Sequence, residues 1–316
     1  PSYPRGRGAR RTAAAPPPQK SKKRKVLAHE SVYLDALPSA SMYERSFMHR
    51  DTVTHVAFAS THDFFVTASV DGHLKFWKKR HEGVEVVKHF RAHSSEVLGL
   101  CVSADGAMCA TIGEDNTCKV FDVVNFDMIM MLKLDFRPTA CEFIYRKGDA
   151  VQAIAIGDDN GTVRVYDALS SSGDPVKTLD KLHRSAITAL RYNAARACVI
   201  SAEAKGVLEY WSSRPEEEYA ALTSSNHPNV EFAFKLDTDL YALAKAKTVA
   251  YTLEVSADGE KFSTTGPDRR VRVFRWKTGK LIKDIDESLE FAEDVQRSGN
   301  EKYVIEDIDF GRRLAV

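Results

Sequence analysis

Between His49 and Trp77 the apolar positions fall into three short runs. After the opening His, Val53, His55 and Ala57 alternate with Thr54, Val56 and Phe58. A second run, Phe64 to Thr67, leads into a turn at Val70-Asp71-Gly72, and a third, Leu74 to Phe76, ends on Trp77. Period-two alternation rich in β-branched and aromatic residues, punctuated by Asp-Gly, predicts strands joined by hairpin turns.

The pattern recurs. Trp77 has successors at Phe121, Tyr166, Trp211 and Phe274, at spacings of 44, 45, 45 and 63 residues. A period near 45 made of strand–turn–strand units predicts an all-β propeller, in which each unit is one four-stranded blade. Internal offsets repeat as well. A His lies 28 residues before the aromatic at His49, His93 and His183, and a hydroxyl lies ten before it at Thr67, Thr111, Ser201 and Thr264. An Asp lies six before it at Asp71, Asp115 and Asp268. By the same count Pro138 and Ala246 take the His position of units three and five. Lys205 takes the Asp position of unit four, whose turn is expected to lose its acceptor. Phe and Tyr replace Trp in three units, and Phe has no N–H to give.

A His–hydroxyl–Asp set invites a catalytic reading, but a hydrolase needs one such site with an oxyanion hole. A set that returns unit by unit reads as a structural brace within each blade. His89 and His93 have metal-like spacing without a third ligand nearby. The stretches Gly113 to Asp115 and Gly157 to Gly161 lack the bidentate Glu of a calcium loop and read as hairpin turns. No catalytic, metal or cofactor-binding residue is assigned, and no small-molecule ligand is expected.

Outside the repeat, residues 1–28 read as a disordered basic tail and 29–316 as the propeller. An insertion over 212–247 lengthens the last spacing and carries a short helix behind Asp237 and Asp239; a connector helix is expected at about 288–297. Either Val32 to Pro38 or Ser46 to Met48 is the candidate strand for closing the ring.

Charge changes the picture at one end only. The net charge of +1 conceals nine Lys and Arg within residues 1–25, which hold no acid. The remainder has 36 basic against 44 acidic residues, a net of −8, which disfavours a basic groove for nucleic acid on the body. Lys20, Lys22, Lys23, Arg24 and Lys25 form a dense cationic cluster on an extended, proline-preceded chain, the kind of segment a nuclear import receptor reads. Nuclear localisation is the expectation, with weak RNA contact through the arm. No run of about eighteen apolar residues occurs, so no membrane-spanning helix is expected. The five cysteines (Cys101, Cys109, Cys118, Cys141, Cys198) lie mostly in strand-like runs without a C-x-x-C pair and read as core thiols.

The offsets of His, hydroxyl, Asp and aromatic resemble the WD-repeat family. Longer stretches narrow the likeness: SMYERSFMHRD at 41–51, DGHLKFWKK at 71–79, VFDVVNFDM at 120–128 and DIDFGRR at 307–313. Together they resemble the WD-repeat-containing nuclear cyclophilins, and PDRRVRVF at 267–274 is most similar to plant and algal members. The resemblance implies a seven-bladed ring, so five units are expected to form an incomplete propeller. The remaining blades and a cyclophilin domain, a peptidyl-prolyl isomerase, would lie beyond Val316. The isomerase signature of that family has no counterpart among these residues. Implied partners are nuclear proteins, either spliceosome components or histones. Tyr43, Arg45, Arg50, Arg269 and Arg270 are the candidate partner contacts, since exposed Tyr and Arg make good anchors.

Overall fold

The computed structural model describes residues 29, 31–32, 47–59, 61–81, 83–145, 148–149, 151–170, 172–213, 228–298 and 306–314. The import-like cluster Lys20 to Lys25, Tyr43, Arg45 and the segment after Val32 lie outside the described residues. The chain divides into residues 1–47 and 48–316. In the first part Ser31 and Val32 are helical and exposed.

The second part is built of five antiparallel sheets, each made of consecutive strands. Blade one holds β1 (Val53–Phe58), β2 (Phe64–Ser69), β3 (His73–Arg80) and β4 (Gly83–Arg91). Blade two holds β5 (Val97–Val102), β6 (Met108–Gly113), β7 (Thr117–Asp122) and β8 (Asp127–Lys133). Blade three holds β9 (Pro138–Phe143), β10 (Ala153–Asp158), β11 (Val163–Asp167) and β12 (Lys177–Leu179). Blade four has three strands among the described residues: β13 (Ile187–Asn193), β14 (Cys198–Glu203) and β15 (Leu208–Ser212). Blade five holds β16 (Thr252–Val255), β17 (Lys261–Thr265), β18 (Arg270–Arg275) and β19 (Leu281–Asp286). No strand precedes Val53 among the described residues, and Phe47 to Arg50 are irregular.

First strands of successive blades run side by side, and all five line one central cavity of about 330 Å³. Second strands lie deepest. All six residues of β6 and of β14 are buried, because blades press on them from both faces. Fourth strands are half wet: β8 buries Met130 and Leu132 and exposes the residues between and before them.

The core is divided into four apolar clusters, each shared by two consecutive blades. Val66, Leu74 and Phe76 of blade one meet Leu100, Cys109 and Phe121 of blade two. Ile112 and Val120 meet Phe143, Ile154 and Tyr166. Val163 and Val165 meet Leu190, Val199 and Trp211. Ile200 and Tyr210 meet Phe262, Phe274 and Trp276. Among the described residues no cluster joins blade five to blade one, and Val56 and Phe58 of β1 are 52% and 71% exposed. The five cysteines are buried and unbridged.

Part of the insertion belongs to the last cluster. Val230, Phe232, Leu240 and Leu243 pack onto Tyr210 and Trp276, and Leu243 sits on the short helix α1 (Ala242–Lys245). The Asp caps expected for that helix are not made: Tyr241 is its N-cap, without a side-chain cap bond. Asp239 instead accepts the N–H of Leu281 at 2.9 Å. Two further helices follow, α2 (Leu289–Ser298) and α3 (Asp307–Leu314). No helix among the described residues is long and apolar enough to cross a membrane.

Candidate functional site

The recurring polar set sits where each blade's first strand enters. His49, His93 and His183 stand four residues before β1, β5 and β13. Applied to the other two blades, that position holds Leu134 and Thr248, not Pro138 and Ala246. Counting back from the aromatic misplaces both, because the spacing of the first two strands varies. The second strand starts 11 residues after the first in blades one, two and four. In blade three the interval is 15 (Pro138 to Ala153), and in blade five it is nine (Thr252 to Lys261). Backbone contacts agree: the N–H of Leu134 bonds Asn116 O just as that of His93 bonds Gly72 O.

Blade two has the fullest brace. His93 Nδ1 lies 2.9 Å from Asp115 Oδ1, and its Nε2 lies 2.9 Å from Thr111 Oγ1. An ionised carboxylate only accepts, so Nδ1 carries the proton and Thr111 donates to Nε2. Burial opposes ionisation of Asp115, but bonds from Thr117, His93 and the Ser94 N–H outweigh it and hold its pKa at about 2. Burial also lowers His93, against the pull of Asp115.

In blade four His183 Nε2 meets Ser201 Oγ at 2.6 Å, and Trp211 Nε1 donates to the same oxygen at 3.3 Å. The acid is not lost with Lys205. Glu203, two residues earlier and buried, places Oε2 3.4 Å from His183 Nδ1 and accepts the Arg184 N–H at 2.9 Å. Burial dominates here and takes His183 down to about 4.

Blade one is braced by three members rather than four. His49 Nε2 and Trp77 Nε1 converge on Thr67 Oγ1 at 2.7 and 2.8 Å. Asp71 does not reach His49; it accepts the Ser69 hydroxyl and the His73 N–H, while His49 Nδ1 is buried without a partner among the described residues. Blade three replaces the brace by apolar packing, with Leu134, Ile156 and Tyr166 in one cluster. In blade five Thr264 Oγ1 has no partner among the described residues, and Asp268 is held by Arg272 at 2.6 Å.

One component was missed, although it is visible in the sequence. The residue two before each aromatic is charged in every blade: Lys75, Lys119, Arg164, Glu209 and Arg272. Lys75 and Lys119 donate to the carbonyls of Met48 and Ala92, just ahead of the braced His. Arg164 and Arg272, in the blades without His, bond Asp158 and Asp268. Glu209 accepts from Lys235 of the insertion. A long charged side chain from the third strand thus ties down the entry loop or the turn.

In the central cavity Arg191 donates to Glu142 at 2.9 Å and to Glu254 at 2.8 Å, joining first strands of blades three, four and five. Among the described residues no group of three His, Cys, Asp or Glu is arranged to hold a metal. Of the candidate partner contacts, Arg50 and Arg269 are exposed. Arg270 is already engaged, bonding Asp284 at 3.2 Å and Asp286 at 2.6 Å, so it straps β18 to β19.

The WD domain, G-beta repeat family matches residues 43–78 and 84–122. Peptidyl-prolyl cis-trans isomerase CYP71 of Arabidopsis thaliana is 46% identical over 93% of this chain, which covers 46% of that protein. Peptidylprolyl isomerase domain and WD repeat-containing protein 1 of Homo sapiens is 47% identical over 94% of this chain, with 44% of that protein covered. The chain spans about half the length of the curated relatives it matches. The crystal structure of the RRP9 WD40 repeats superposes with a TM-score of 0.58 at 15% identity, covering 77% of this chain and 66% of that one, a likeness of fold alone.

Proposed function

Because the chain belongs to the same family as these WD-repeat-containing peptidyl-prolyl isomerases, we propose that it is the interaction scaffold of a nuclear isomerase. It directs an attached cyclophilin domain to spliceosomal or chromatin proteins. The observation that supports this reading is identity of 46–47% across nearly the whole chain to proteins twice its length that are named for isomerase activity. The braced rims of blades one, two and four suit the role, since a rigid propeller presents loops at fixed spacing.

The test begins with the full transcript. An in-frame cyclophilin domain, and prolyl isomerase activity in the product, are expected. A stop codon shortly after Val316 would leave a free-standing nuclear WD-repeat scaffold, the runner-up. Localisation has its own test: a fluorescent fusion is expected in the nucleus and should become diffuse when Lys22, Lys23, Arg24 and Lys25 are changed to Ala. Loss of RNA crosslinking on removing residues 1–25 would assign the arm its weak RNA contact.

A further inference from the structure

The first strands of blades one to four begin with a bulge. Their pairing with the second strand shifts across residue two, leaving Thr54, Leu98, Thr139 and Thr188 outside the ladder. A bulge re-aims the side chain it frees, and all four residues line the central cavity. Thr54, Thr139 and Thr188 donate to the carbonyls of Ala68, Gly157 and Ala202 on their second strands, at 3.5, 3.2 and 3.4 Å. Thr252, at the start of β16, lines the same cavity and bonds Thr265. A hydroxyl whose proton is committed can only accept, so this end of the cavity presents a ring of acceptors. His55 Nδ1, 2.9 Å from Thr54 Oγ1, takes up one lone pair there and leaves the other.

The charge around this space is negative. The five first strands carry one cation, Arg191, against Glu142 and Glu254, and burial lowers His55 so that it is neutral at neutral pH. The two residues ahead of each strand add Asp51, Glu96 and Arg137, and Arg137 is already paired with Glu114 at 3.3 Å. Anions are therefore repelled. We propose that the cavity mouth binds the ammonium group of a lysine side chain presented by a partner protein, with the hydroxyl oxygens of Thr54, Thr139 and Thr188 as its acceptors. An ammonium points three N–H donors in different directions, which matches single acceptors on three separate strands. A guanidinium is flat and favours a carboxylate fork, and both carboxylates here are bonded to Arg191. A divalent cation fits less well, because neutral hydroxyls supply no charge and Arg191 opposes it. Leu98, Ala140 and Ala189, which line the same space, take the methylene stem. The site does not depend on the isomerase reading and exists whether or not a cyclophilin domain is attached.

The test uses the 316-residue protein with ¹³C-labelled threonine methyl groups, followed by NMR while N-acetyl-lysine methylamide, its norleucine analogue or its arginine analogue is titrated in. Signals are assigned through Thr→Val at each of the three positions. Saturable shifts of Thr54, Thr139 and Thr188 by the lysine compound alone are expected. Thr139→Val removes one acceptor for a charged donor and should weaken binding about tenfold. Glu254→Gln changes an exposed side chain, so it keeps the fold even where Thr139→Val does not. It should weaken binding severalfold and flatten the dependence on salt. Equal shifts from the norleucine compound would reduce the site to an apolar contact and overturn the proposal. Tighter binding of the arginine compound would overturn the ammonium assignment, and the lack of any saturable shift would remove the site.

Discussion

Ser201 receives two buried groups in blade four, His183 and the Trp211 indole. Ser201→Ala removes the oxygen that both use and should cost about 2–6 kcal/mol, at roughly 1–3 kcal/mol for each buried group that loses this bond. Thr264→Val removes a hydroxyl that has no partner among the described residues, so its urea midpoint should stay level or rise. The two equivalent positions thus move in different directions, and paired urea melts read the contrast. His183 adds a pH dependence. Its folded pKa of about 4 lies below the ordinary 6.5, so the unfolded chain takes the proton first as pH falls. The contribution is fully present above pH 6.5 and is lost progressively between 6.5 and 4. It amounts to on the order of 3 kcal/mol from one group at about 1.4 kcal/mol per unit. His93 acts in the same direction. Urea midpoints at pH 7.5 and 4.5 should therefore differ substantially, and His183→Gln should flatten the difference.

At the level of elements, the strands were legible because alternation and Asp-Gly turns are local signals. Their pairing into blades followed from the repeat. The brace register was less legible, since counting from the aromatic assumes a constant interval between the first two strands, and blades three and five break it. Pro138 illustrates the point: it opens β9, where a missing N–H is tolerated, rather than replacing a His. The acid of blade four escaped for a related reason, Glu203 lying on the strand end instead of in the turn. Helix α1 was foreseen, but for a cap it does not use; the burial of Leu243 fixes it. Where two elements meet, the turn at Gly72 is decisive. Its φ is +79°, and a Cβ there would fall 2.4 Å from His93 O. Gly72→Ala should cost at least about 2 kcal/mol from strain and contact together, measurable as a lowered melting temperature.

At the scale of the fold, the five blades among the described residues share four apolar clusters, so there blades one and five each have one packed neighbour and blades two, three and four each have two. An open row of this kind is energetically close to one-dimensional, stability being a sum over units and junctions. Opening an end blade disrupts one junction, whereas opening a middle blade disrupts two. Amide hydrogen exchange should therefore form a gradient along the chain, slowest in β6, β10 and β14 and faster in β2 and β17, although each is the second strand of its blade. A flat profile across the five would mean that the ends are held as firmly as the middle. In such a row the two outermost of these five blades act as latches: a partner, or a further blade, that grips blade one or blade five changes how often the row unzips, without touching the blades it protects.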